Sequence, residues 1–247
     1  MVQQTILILL SLLIVSPVLF LCIKQKSRDS YHTMIVFVLF VIIHDLLLFS
    51  YTVFIGVFHL FNQNWNWSGK TLAILCSIVF LAFYKKYPLS TYGITTRQRP
   101  NSIRLSLVVL AVFVLANLLL SFFPPTKGRF SLETLAFELT MPGIDEELAF
   151  RGIMIGLLSQ VLVENITLGR LKLGNPSILI TSVLFGLLHA LNLNKEFAFS
   201  FNTMYFLQTF AFGYIVGWVF VRSRSVLFPA IIHNAADFVG VLVPMLL

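Results

Sequence analysis

Four short runs in this chain carry residues able to do acid–base chemistry, and each lies within a largely apolar stretch. They are His44-Asp45, Asp145-Glu146-Glu147 with Arg151 following, Phe185-x-x-x-His189, and His233-x-x-x-Asp237. Helix geometry sorts them. Residues four apart lie about 40° apart around an α-helix, so Glu147 and Arg151 share a face, with the acid on the favourable N-terminal side. Phe185 with His189, and His233 with Asp237, share faces for the same reason. Glu146 points about 100° away from Glu147, has no cation on its own helix, and reads as a free carboxylate.

A carboxylate beside a histidine can hold a water and take its proton as that water attacks a carbonyl. A second histidine could stabilise the resulting oxyanion. Glu146, His189, His233 and Asp237 are also ligand types that zinc accepts, so a metal-assisted variant stays open. Any one of these residues alone reads as a polar contact between helices. Three runs that each supply an acid or an imidazole, on separate segments, imply one buried polar cavity. His44 and Asp45 allow two readings, a pairing of Asp45 with a neighbouring helix or a part in gating that cavity.

The elements that must position these groups follow from composition. Of 247 residues, 58% are hydrophobic and only 11% are charged. A soluble domain carries about 25% charged residues, so water-soluble enzymes, disulfide scaffolds and disordered regulators are excluded. Runs of about 20 apolar residues, the length needed to cross hydrocarbon, recur along the chain. We read eight: residues 4–23, 33–61, 67–83, 105–123, 144–163, 177–193, 197–221 and 226–247. The expected fold is an all-α polytopic transmembrane bundle of about eight spans, forming a single membrane domain over residues 1–247. Pro17 is expected to bend the first span. The fifth is expected to begin as early as Ser131, through a Pro142-Gly143 kink, which would put Glu146 near mid-helix. The first span is read as retained, since no basic residue precedes it.

Basic residues set the orientation. With alternating spans, twelve Lys and Arg fall on one side (residues 24–28, 85–104, 170–172 and 222–224) and four on the other, Lys70, Lys127, Arg129 and Lys195. The richer side is the expected cytoplasmic one. This also accounts for the net charge of +7 without nucleic acid, because no dense basic stretch exists. His32 and His59 fall at span ends, Trp65, Trp67 and Trp218 suit an aromatic belt, and Cys22 and Cys76 read as apolar fillers. Asn66-Trp67-Ser68 and Asn165-Ile166-Thr167 match the glycosylation triplet, which is frequent by chance.

The three signatures Glu146-Glu147-x-x-x-Arg151, Phe185-x-x-x-His189 and His233-x-x-x-Asp237 resemble those of the CPBP intramembrane proteases, also called the CAAX protease or Abi family. That family includes type II CAAX prenyl endopeptidases and bacterial members linked to bacteriocin self-immunity and peptide maturation. The resemblance covers residues 142–238. It implies Glu146 as general base, His189 as its partner on the same water, and His233 with Asp237 at the oxyanion site. Glu147 and Arg151 would brace the site, with Phe185 in support. Asp237 stands where the prenyl endopeptidases have Asn. An ionised Asp cannot donate to an oxyanion, so it must be protonated, orient His233 or bind a metal.

The resemblance implies an endopeptidase acting on a membrane-anchored or lipidated peptide, including a prenylated one, in a bacterial cell membrane or the endoplasmic reticulum. A metal-free water mechanism with no cofactor is favoured over zinc. Two other classes compete. One is a non-enzymatic bacteriocin-immunity or membrane binding protein, although every signature residue is present. The other is a transporter using His44 and Asp45 as a relay, which the absence of an inverted repeat disfavours.

Overall fold

The computed structural model describes residues 2–50, 65–122 and 127–247. His59 and the predicted end of the second span, residues 51–61, lie outside the described residues. Nine α-helical segments cover most of the described chain: α1 (Val2–Leu21), α2 (Arg28–Phe49), α3 (Trp67–Phe83), α4 (Ser102–Leu120), α5 (Leu132–Glu146), α6 (Ile155–Val161), α7 (Pro176–Ala190), α8 (Thr203–Ser223) and α9 (Leu227–Leu246). A π-helical stretch, Glu147–Met154, joins α5 to α6, so residues 132–161 form one continuous helical rod. Glu146 therefore sits mid-rod, as the early start at Ser131 predicts. The Ser131 hydroxyl caps the rod by accepting from the Thr134 amide at 3.2 Å. The helix also continues past Pro142, and α1 past Pro17.

Five of these helices, α1, α2, α4, α8 and α9, are long and apolar enough to cross a membrane; α3 and α7 are apolar but shorter. The predicted eight spans thus become five long helices and two short ones, plus the rod. The rod's acids lower its hydropathy, yet it holds the middle of the core. Ile153, Met154, Ile155, Leu157 and Leu158 are fully buried. On α4, by contrast, only Ser102 and Ser106 are buried, while Leu107, Val108, Val112, Leu115 and Leu119 are exposed. Such a surface suits lipid, not water. The chain is an integral membrane protein.

Two antiparallel hairpins interrupt the helices, Ile166–Leu168 with Leu171–Gly174 and Leu191–Leu193 with Phe199–Phe201. The second corrects the predicted spans 177–193 and 197–221, which end and begin too close together. Asn194 is the cause: its side-chain oxygen accepts from the amides of Glu196 (3.0 Å) and Ala198 (2.8 Å), closing a turn that no helix would allow. Asn202 then caps α8 by accepting from the Tyr205 amide at 3.0 Å.

The basic loops gather at one end. Lys24 N donates to Val161 O (2.9 Å), Arg99 N to Ser223 O (3.2 Å) and Val226 N to Gly93 O (3.1 Å). A 3-10 turn, Leu89–Tyr92, docks there against Gly156, where an added Cβ would meet Tyr92 Cδ1 at 2.8 Å. Burial pushes the Tyr92 phenol above its ordinary range, so it stays neutral. This clustering predicts a labelling pattern. In a protein lacking Cys22 and Cys76, single cysteines at Lys26, Ser90 and Lys172 should react with an impermeant thiol reagent from the cytoplasmic side. Those at Arg129 and Lys195 should react from the opposite side. Lys26 and Ser90 labelling from different sides would reject the assignment.

Candidate active site

Asp145, Glu146 and Glu147 are consecutive, so their side chains leave the rod about 100° apart and meet three different neighbours. Asp145, fully buried, faces α2 and α3. It accepts from His44 Nε2 and from Lys70 Nζ, each at 3.0 Å. Glu146 accepts from the same Lys70 ammonium through Oε1 at 2.5 Å, while its Oε2 stands 3.8 Å from His233 Nε2 with no hydrogen-bond partner. Glu147, fully buried, pairs with Arg151 at 2.9 Å and accepts from His233 Nδ1 at 2.7 Å.

The expectation that Glu146 is a free carboxylate is therefore corrected. It has no cation on its own helix, but α3 supplies one. By sequence position Lys70 falls at a membrane end; it instead turns inward from the first turns of α3 and is only 8% exposed. A lysine in the first turn of an apolar helix ordinarily snorkels to the interface, so the sequence carries no signal of these buried partners. His44 stands behind Asp145, is 1% exposed, and has Asp45 3.7 Å from its other ring nitrogen. The pair forms the outer end of a network that runs from α2 through Asp145 and Lys70 to Glu146.

The histidines are oriented by acceptors. His189 Nδ1 lies 2.7 Å from the carbonyl of Phe185, which can only accept, so Nδ1 carries the proton and Nε2 is left free. The Phe185 ring packs on the His189 ring, centroids 4.3 Å apart, and its own face lies 4.8 Å from the Arg151 guanidinium. His233 is fixed from both sides: Glu147 takes Nδ1, and Asp237 Oδ2 lies 3.3 Å from Nε2. Asp237 thus stands against the His233 ring from its own helix.

Glu146, His189, His233 and Asp237, together with Lys70 and Phe185, line one cavity of about 690 Å³ among α3, α4, α5, α7, α8 and α9. Glu147 and Arg151 are not among its lining residues. Aromatic groups furnish much of the lining, including Trp65, Phe113, Phe137, Tyr205 and Phe212. Trp65 stacks on Phe137 at 4.9 Å and Trp67 meets the same ring edge-on at 5.2 Å, so both tryptophans pack inward as well as marking a membrane end. Helix α9 reaches the rod at Gly143, whose amide donates to Asn234 Oδ1 at 2.7 Å. A Cβ there would meet Asn234 Oδ1 at 2.5 Å and the Ala230 carbonyl at 2.6 Å, so glycine sets how close His233 comes to Glu146.

Among the described residues, no three His, Cys, Asp or Glu side chains form a group that could hold a metal ion. The Lys70 ammonium already bridges Asp145 and Glu146, where a cation would seek ligands.

The family model described as type II CAAX prenyl endopeptidase Rce1-like matches residues 128–239. The match begins near the start of the rod and spans every residue of the three signatures, while α1 to α4 lie outside it. No curated protein and no solved structure matches the chain. The segment that carries all three signatures is therefore similar to the Rce1-like type II CAAX prenyl endopeptidase family, the CPBP group that its motifs resemble.

Proposed function

We propose that this protein is an intramembrane endopeptidase that hydrolyses a peptide bond in a membrane-anchored or lipidated substrate by a glutamate-activated water. The observation that carries this reading is the asymmetry of Glu146. One oxygen is held by Lys70, and the other has no hydrogen-bond partner among the described residues and belongs to a residue of the cavity wall. Glu146 Oε2 takes a proton from water as the water oxygen bonds to the scissile carbonyl carbon. His189 Nε2 holds the same water. His233, held at Nδ1 by Glu147, shares its Nε2–H between Asp237 and the developing oxyanion. Collapse of the tetrahedral species breaks the C–N bond, and the proton on Glu146 passes to the leaving amine.

The cavity supports one substrate class. A helical backbone has its carbonyls hydrogen-bonded and shielded, so the cleaved segment is extended, a tail held at the bilayer by an anchor. A prenyl group or an apolar helix would serve, since each buried methylene contributes about 0.8 kcal/mol. The test compares one fluorogenic peptide with and without a farnesylated cysteine, using purified protein in detergent, before and after strong chelation. The anchored form should be cleaved at least about 10-fold faster, and chelation should leave the rate unchanged. Equal rates would reject anchored recognition. Loss on chelation with recovery on adding zinc would replace the metal-free mechanism. Binding of the anchored peptide without cleavage would favour the binding-protein reading.

A further inference from the structure

Glu138 lies on α5 a little over two turns before Glu146 and lines the same cavity. It is 8% exposed, and among the described residues its carboxylate makes no hydrogen bond and no ion pair. The charged groups that line the cavity with it are Asp237, His233, Glu146 and Lys70. Both cations of that set are engaged elsewhere: Lys70 with Asp145 and Glu146, and His233 with Glu147 and Asp237. Among the described residues, the cavity therefore carries a buried acid that has no ion-pair partner of its own. A buried carboxylate without a partner is costly, and that cost falls when a ligand brings the missing cation.

We infer that Glu138 is a specificity residue that receives a basic side chain of the substrate peptide. This role rests on the protease reading. Its position relative to the cut follows from geometry. Eight residues of α-helix separate Glu138 from Glu146, about 12 Å along the axis. An extended peptide rises about 3.3 Å per residue, so the basic residue lies about three or four positions from the scissile bond. It lies toward the end of the protein opposite the basic loops, because α5 begins there.

The experiment uses the purified full chain and a series of farnesylated fluorogenic peptides. A single lysine is moved through the five positions on each side of the cut, with norleucine or glutamate at the same position as controls. Wild type should prefer lysine over norleucine in kcat/KM by at least about 10-fold at one position, three or four residues from the cut. In Glu138→Gln the ratio at that position should fall to within about twofold of one, and Glu138→Lys should prefer glutamate there. Each ratio is internal to one variant, so differences in folded amount cancel. A wild-type enzyme with no lysine preference at any position would overturn the inference and leave the protease reading standing. A preference that survives unchanged in Glu138→Gln would also overturn it. Cleavage of none of the peptides by wild type would reject both readings.

Discussion

Glu146→Gln is expected to lower kcat by at least about 100-fold with little change in KM, measured on an anchored fluorogenic peptide. General-base catalysis typically contributes about 10²–10⁴-fold, and this substitution removes only the ability to take a proton. The amide keeps the shape of the side chain and one oxygen to accept from Lys70, so the contact at 2.5 Å has a successor. Glu147→Gln should behave differently. Glu147 balances Arg151, which is 1% exposed, and also holds His233 Nδ1. Neutralising it leaves a buried guanidinium without its charge partner, a loss of about 3–5 kcal/mol. The expected result is a lower thermal midpoint and less folded protein, with the activity loss following from that. A Glu146→Gln protein with near wild-type kcat would remove Glu146 as the base. A Glu147→Gln protein with wild-type stability would remove the bracing role.

The difference between these two glutamates is legible in the amino-acid sequence, because it rests on helical angles alone. Glu147 and Arg151 stay paired even though the rod is π-helical across them, since the change in winding moves an i,i+4 partner only modestly. The gathering of Glu146, His189, His233 and Asp237 is legible for a different reason: an apolar chain retains acids and imidazoles only where something answers them. What stays hidden needs knowledge of other helices. Lys70 reads as one more basic residue near a membrane end, since a count by side says nothing about which way a side chain turns. Asp145 reads as the spare member of an acidic triplet, and only the fold brings His44 and Lys70 onto it. Glu138 sits in the rod's first half, where only the cavity distinguishes it from a polar helix position. The hairpin at Leu191–Phe201 is hidden because its strands are as apolar as the helices beside them, and only the Asn194 turn marks the break.

Lys70→Met should reduce kcat by about 10-fold or more while KM stays near wild type. An ammonium has three donors, and Lys70 spends one on Asp145 and one on Glu146. Without it, two adjacent buried carboxylates lose the cation between them. Asp145 keeps His44, but Oε1 of Glu146 keeps nothing that fixes it. The base then loses its orientation toward the water, and misplacement of about 1 Å can cost about 100-fold in rate. Some loss of folded protein is also expected, because the remaining charges are buried, so activity alone would not separate positioning from folding. Chemical rescue does. In a chain with Cys22→Ala and Cys76→Ala, Lys70→Cys treated with 2-bromoethylamine regains an ammonium of nearly the same length at the cavity wall. Recovery of kcat at constant folded fraction, measured by size-exclusion chromatography before and after alkylation, is the expected result. Unchanged kcat in Lys70→Met would show that the ion pair does not orient the base. A higher kcat than wild type would make Lys70 a lock on Glu146 that substrate must open.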